Sequence, residues 1–515
     1  MLKPLLAYGY LPRELPPLFG SESFASFIKA NPATLESIKK KNADWTQPIH
    51  HNLARVGGLR RRLTLPNPIN FYRLATCFQT NSAQLQAEWG KSPYSLTSPK
   101  KSLRGRRGIS SGNVDRATAR AHARIGARYL LRADISQFYP SIYTHTIPWV
   151  LHTKKVAKGA CQDMRLAGNV LDRELQACQF GQTKGIAIGP DTSLCIAELL
   201  LAPIDKRLKD ECQILGGVRF IDDMEFSFKT LAHAEAALER LESSLYEFEL
   251  QLNGNKTRIL ELPDVLEARY VTELRPQIPV LNKGTKSQWI DYFNHAFILA
   301  KEHPSDGVLR YATAALQGVT ATEKCWPIAQ TLLWQCIALD PGCLKFVTDV
   351  LLLHKHRASR VPDVSVAKKA IESLMLSSAP VGHGSEILWS IWASLQLGVK
   401  LSRSAQQAVA AMDDSFVAVA AMIAKEKRVF AKDFTSPLWE SWLVEDCFKQ
   451  EHWFFGYEAN RQGWLTKKVR NAKLHQESSI KALKDAGVTF LNVKQIASYL
   501  PKKLVVRGGG GGEYF

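Results

Sequence analysis

Val218-Arg219-Phe220-Ile221-Asp222-Asp223-Met224-Glu225-Phe226-Ser227-Phe228 is the stretch on which the fold of this chain turns. Apolar or aromatic residues recur at 218, 220, 224, 226 and 228, a period of two on either side of an Asp-Asp pair. That pattern predicts a β-hairpin with the acids at its tip. Adjacent carboxylates repel unless a cation or protons neutralise them, so the tip is a candidate site for a divalent ion. Surface turns also carry such pairs, and the rest of the chain must decide between the two readings.

Upstream, Tyr129-Leu130-Leu131-Arg132-Ala133-Asp134-Ile135 is a short apolar run with strand character that ends on an acid. Between the two acidic sites, Gly185-Ile186-Ala187-Ile188-Gly189-Pro190-Asp191-Thr192-Ser193 is a Gly/Pro loop feeding a helix expected over 194–209. Downstream, Leu231, Ala234, Leu238, Leu241, Leu245 and Phe248 are spaced three and four apart, an amphipathic helix lying on a sheet. Strand, helix, hairpin and helix make an α+β domain that closes near the linker Arg275-Pro276-Gln277-Ile278-Pro279.

Beyond Pro279 the pattern is helix after helix, expected at 308–317, 326–338, 365–377, 386–397, 403–411 and 415–426, with Ser385 as N-cap and Gly398 as C-cap of the fourth. Short turns between them suggest stacked helical hairpins of the HEAT-like kind, although no strict repeat is present. The chain ends on Arg507, five glycines and Glu513-Tyr514-Phe515, a flexible tether.

The 515 residues are 45% hydrophobic and 22% charged, which excludes a disordered or collagenous chain. Sixty-seven Lys and Arg against 48 Asp and Glu give a net charge of +19, fitting either a polyanionic partner or a solvated basic surface. Position discriminates better: residues 100–128 hold nine Lys and Arg against the single Asp115. The nine cysteines contain no C-x-x-C pair, so neither a disulfide framework nor a zinc knuckle is expected. No stretch is long and apolar enough for a membrane span, and the N-terminus lacks a cleavage signal, so the expected location is cytoplasmic with no membrane partner.

Asp134-x-x-x-Phe138-Tyr139, Gly185-x-x-x-Gly189-x-x-x-Ser193, Phe220-Ile221-Asp222-Asp223 and Leu252-Asn253-x-x-Lys256-Thr257 follow one another in the order of motifs A, B, C and D of the reverse transcriptase palm, which this chain resembles. The resemblance covers roughly 50–275. It implies fingers and palm over 51–275, preceded by an N-terminal extension at 1–50 and followed by an all-α HEAT-like domain at 280–504 in place of a thumb, then a tail at 505–515. Ala187-Ile188 stands where many templated members have Pro-Gln. Ile188-Gly189-Pro190-Asp191-Thr192-Ser193, Leu65-Pro66-Asn67-Pro68, Asp134-Ile135-Ser136-Gln137-Phe138-Tyr139-Pro140 and Trp453-Phe454-Phe455-Gly456-Tyr457 are similar to the abortive-infection and unknown-group reverse transcriptases of bacteria, most of all the P2-prophage type.

The resemblance implies a DNA polymerase in anti-phage defence that is untemplated and protein-primed, using dNTPs and two Mg²⁺ ions, or Mn²⁺ in their place. It also implies a single-stranded DNA product attached to the protein, and a homo-oligomer. Asp134, Asp222 and Asp223 would hold the metals, with Lys256 as proton donor or charge partner. Tyr139 would exclude a ribose 2′-hydroxyl, and Gly185, Gly189 and Ser193 would let motif B approach the nucleotide and any template. Arg128, Arg132, Lys101 and Arg107 are the candidate grips on the triphosphate. Tyr8, Tyr10 and Tyr514 are candidate priming hydroxyls, with Tyr8 favoured. Three alternatives stay open: RNA-templated synthesis on a bound noncoding RNA, a non-catalytic binder of RNA or phage protein, and an HEPN-like ribonuclease built on Arg470, Asn471 and His475.

Overall fold

A computed structural model describes residues 1–31, 44–102, 106–110, 115–281, 283–464 and 478–501. The expected hairpin forms from β6 (Gly216–Phe220) and β7 (Asp223–Phe228). It belongs to a four-stranded sheet in the order β6-β7-β5-β8, where β5 is Tyr129–Ala133 and β8 is Arg258–Glu261, and every neighbouring pair is antiparallel. Two smaller hairpins precede it: β1 (Ile49–Ala54) with β2 (Arg60–Leu65), and β3 (Lys100–Lys101) with β4 (Ile109–Ser110).

The helix after the Gly/Pro loop runs from Asp191 to Glu211, three residues earlier at its start than expected. The reason is tertiary. Asp191 N donates to Gly9 O at 2.8 Å, so the first turn forms against the N-terminal segment. This helix is buried almost all round through Ala202 and forms the floor under the sheet, with the amphipathic helix Leu231–Tyr246 beside it.

Residues 1–30 pack between the helix Pro68–Thr80 and residues 488–492. Tyr10 is fully buried, its ring 4.5 Å from Phe71 and 5.8 Å from Phe490, and its hydroxyl donates to Pro66 O at 2.6 Å. Gly20 N donates to Phe490 O at 3.0 Å, closing the loop between the two ends of the described chain.

From Lys286 to Gln462 the chain is helical among the described residues. Gly384–Leu397 ends on Gly398 at φ 71°, as expected, but its N-cap is His383 rather than Ser385. The Ser385 hydroxyl is committed elsewhere: it accepts from Ala54 N at 2.9 Å and donates to Glu386 at 2.7 Å, tying this helix to β1. Arg60 of β2 adds two bonds to Glu386, at 2.5 and 2.9 Å. No helix among the described residues is long and apolar enough to cross a membrane.

Candidate active site

Register brings the acids together. Ala133 of β5 lies opposite Met224 of β7, so one further residue on each strand sets Asp134 beside Asp223. Phe220 pairs with Asp223, leaving Ile221 and Asp222 as the two turn residues. Asp134, Asp222 and Asp223 all line one large cleft, of about 2770 Å³, between the sheet, the β1–β2 hairpin and the helical half.

Each acid has its own surroundings. Asp134 accepts from Lys256 Nζ at 2.8 Å and from Asn253 Nδ2 at 3.3 Å, while Asn253 N donates to the Asp134 carbonyl at 2.7 Å. Asp223 is turned toward the helix Arg116–Ala123, with Arg120 Nη2 at 3.3 Å and Arg116 Nη1 at 3.9 Å from its Oδ2. The Arg116 guanidinium lies 3.2 Å over the Phe220 ring, which holds the helix against the hairpin. Among the described residues no three His, Cys, Asp or Glu side chains are gathered into a metal-holding group. The donor set nonetheless suits a hard cation: Asp134, just past the end of β5, and Asp222, in the β6–β7 turn, offer carboxylate oxygens to one cleft.

Two networks that the sequence reading did not foresee hold this hairpin. Behind the turn, Arg219 is fully buried and donates to Asp205 at 2.7 Å and to Glu198 at 3.0 and 2.9 Å. Burial works against its charge but is outweighed by Asp205 and Glu198, which raise its pKa further. Arg219 Nη1 also donates to Ile221 O at 2.9 Å, and Ile221 N donates to Thr97 Oγ1 at 3.0 Å. These bonds hold Ile221 at φ 57°, a left-handed conformation that costs a β-branched residue on the order of 1–2 kcal/mol. The signal was present: Glu198 and Asp205 are the charged residues of the otherwise apolar stretch 194–205 and lie seven apart, hence on one helix face.

On the cleft side, Glu225 receives Arg124 at 2.7 and 3.0 Å and Arg132 at 3.1 Å, with Arg120 at 3.6 Å. Burial pushes the Glu225 carboxyl up, but Arg124, Arg120 and Arg132 outweigh it and hold it below the usual range. Arg124 also donates to Asp264 O at 2.7 Å and Arg132 to Asp264, so the loop after β8 is fastened to the same carboxylate. Arg116, Arg120 and Arg124 recur every four residues, the spacing of one helix face.

The structure sorts the remaining candidates. Tyr139 lines the cleft, and its carbonyl accepts from Ile186 N at 3.0 Å, which joins motif A to motif B. Gly185 is left-handed at φ 85°. Gly189, at φ 135°, faces the chain's own N-terminal segment: a Cβ there would stand 2.5 Å from Pro12 Cγ. Ser193 Oγ donates to Ala187 O at 2.5 Å, closing the motif B loop on its helix. Arg107 lines the cleft near Tyr139 and Asp191. Burial pushes the Asp191 carboxyl up to about 6, against the opposing pull of Arg107 and of the Ile109 and Gly108 amides at 2.9 and 2.7 Å. Arg132 lines the cleft while bound to Glu225 and Asp264.

Other candidates stay outside. Arg128 is exposed and pairs with Glu261 at 3.0 Å on the far edge of the sheet. Lys101 is exposed beside the Met1 amino group. Tyr10 is committed to Pro66, and Tyr8 is half-buried at the end of the helix Leu2–Tyr8; neither lines the cleft. Tyr514, Arg470, Asn471 and His475 lie outside the described residues.

Residues 73–292 match the family model described as reverse transcriptase (RNA-dependent DNA polymerase). No curated protein matches the chain.

Proposed function

We propose, from the premise that residues 73–292 are a reverse transcriptase domain and the chain therefore a nucleotidyltransferase of the RNA-directed DNA polymerase kind, that this enzyme builds DNA from dNTPs without a template, primed by a protein hydroxyl, in abortive infection. The observation that carries the untemplated reading is the covered face of Gly189. Of the two motif B glycines, Gly189, where a template base would approach the backbone, has Pro12 against it, while Gly185 lines the cleft where an incoming nucleotide would approach. The defence role rests on the sequence resemblance of the motif B variant Ile188 to Ser193 and of Trp453 to Ala459.

Asp134 and Asp222 would hold Mg²⁺, which when bound supplies countercharge to the triphosphate and acidifies the attacking hydroxyl. The protein's own contributions are positional. Asn253 and Lys256 orient and balance Asp134. Tyr139 fills the place where a 2′-hydroxyl would stand, and Arg107 presents charge to the phosphates. Lys256 is the proton donor closest to Asp134 among the sequence candidates. Priming falls to Tyr8 or Tyr514, because burial raises the Tyr10 phenol well above its ordinary value and its hydroxyl is already bonded. The helical half is read as HEAT-like because alternate helices pack on one another: Lys286–Glu302 on Trp326–Leu339, that on Val364–Ser378, and Gly384–Leu397 on Ser415–Glu426. A cytoplasmic homo-oligomer completes the reading.

Incubating the protein with labelled dNTPs and Mg²⁺ tests it: wild type should incorporate label that stays on the protein after denaturation, and Asp222→Ala should not. A second reading, synthesis on a bound RNA, is favoured by the family description. Loss of incorporation after ribonuclease treatment would select it.

A further inference from the structure

Between the helix Ala167–Ala177 and motif B stands a residue with a strained backbone and an exposed aromatic side chain. Phe180 has φ 56°, in the left-handed region that disfavours any residue bearing a Cβ. The residue is 54% exposed and lines the cleft. A turn alone would place glycine there, and the adjoining Gly181, at φ 81°, supplies one. Strain of this kind persists only where the surroundings over-determine it, and here they do. Phe180 N donates to Thr46 O at 3.1 Å, and Gly181 N to Gln176 O at 2.8 Å. Gln179 Nε2 donates to Gln182 O at 2.6 Å and to Gly185 O at 2.8 Å, so the strained segment is fastened to motif B. The Trp45 ring backs it: a Cβ on Gly181 would come within 2.4 Å of that ring.

Cations line the same cleft as the exposed ring. Lys184 lines the cleft four residues on, and so do Arg61 and Arg62 of β2, whose Thr64 N donates to Ile188 O of the motif B loop at 2.8 Å. An exposed aromatic face in a cleft lined by positive charge suits an unpaired nucleobase on a phosphodiester backbone, because stacking accepts any base while cations along the cleft meet the phosphates.

We propose that Phe180 is a stacking platform for an unpaired base of a nucleic-acid strand in the cleft, with Lys184, Arg61 and Arg62 on its phosphates. This rests on the polymerase reading above. The strand is either the DNA product or an RNA template, and the chemistry of the platform is the same for both.

The test is fluorescence anisotropy of the full-length protein with labelled oligothymidine and oligouridine, without dNTPs. Phe180→Leu should weaken binding about tenfold, and Phe180→Trp should retain it. Phe180→Gly removes both the ring and the backbone strain, so it should weaken binding as much as Phe180→Leu while melting no lower than wild type. A residue that served only packing would show the reverse. Weakening confined to the DNA oligomer assigns the platform to the product, and weakening for RNA assigns it to a template; either supports the proposal. Wild-type affinity for both oligomers in Phe180→Leu and Phe180→Gly overturns it, as does the absence of binding by wild type. Incorporation of dNTPs, measured separately, keeps the two readings apart: unchanged binding with intact incorporation removes the platform alone, and weakened binding with no incorporation by wild type removes the polymerase reading alone.

Discussion

Arg219, Glu198 and Asp205 are sealed behind the β6–β7 hairpin, whereas Asp222, Asp223 and the arginines of the helix Arg116–Ala123 stand on its cleft side. Both groups pair guanidinium with carboxylate, yet their physical setting differs. In the sealed group each charge has surrendered its water, so every member needs its partners, and the network fixes one geometry for the turn. On the cleft side Asp223 keeps 41% of its side-chain surface in contact with solvent, and its ion pairs are screened. The difference separates a side that holds from a side that is open: the turn is fixed from behind, while the acids it carries face the cleft.

The comparison can be broken most directly at Arg219. Arg219→Met leaves two buried carboxylates unpaired and should cost about 3–5 kcal/mol of stability, read as a large fall in melting temperature. A variant that melts like wild type would mean that the sealed side holds nothing. Asp222→Asn probes the opposite side: dNTP incorporation should drop on the order of 10³-fold, about 4 kcal/mol of barrier, with melting unchanged. Comparable losses of stability in both variants would erase the distinction between the faces.

Glu225 lies between these extremes, nearly buried but ringed by cleft-side arginines. Glu225→Gln should cost roughly 1.5–3 kcal/mol through its charged hydrogen bonds, and should lower incorporation by loosening the loop at Asp264. Its pH dependence sharpens the point. The folded carboxyl is held below its ordinary 4.5, so its contribution is fully present above that value and is lost as pH falls through the folded one. The melting difference between wild type and Glu225→Gln should therefore be full at neutral pH and shrink below 4.5. Asp191 should show the opposite sign. Its carboxyl is raised from 3.8 to about 6, so wild type should lose stability relative to Asp191→Asn as pH rises between those values.

Much of this was legible beforehand. The strand ending at Asp134, the hairpin, the helix after motif B and most of the later helices appear where periodicity placed them, because burial on one face forces the period. The alternation did not disclose which face each strand presents. Residues 218, 220, 224, 226 and 228 read as one series, but the turn pairs Val218 with Glu225 and Arg219 with Met224. The apolar residues of β6 and β7 therefore point to opposite sides, Phe220 under Arg116 and Phe226 toward Tyr94. Arg128 and Arg132 looked equivalent beside motif A. One reaches the sheet edge and Glu261, the other Glu225, since Arg128 stands exposed just before β5 and Arg132 half-buried within it.

By itself the amino-acid sequence determined the local elements, the order of the four motifs and the identity of the acids, because these depend on spacing and residue type along the chain. The tertiary structure alone decided what stands against them. Arg219 finds Glu198 and Asp205 across the sheet, Pro12 comes to rest on Gly189 from 177 residues away, and Tyr10 is withdrawn into the aromatic core. Such contacts follow from the joint packing of distant segments, where desolvation makes each buried charge and each Cβ answer to neighbours that no local pattern names.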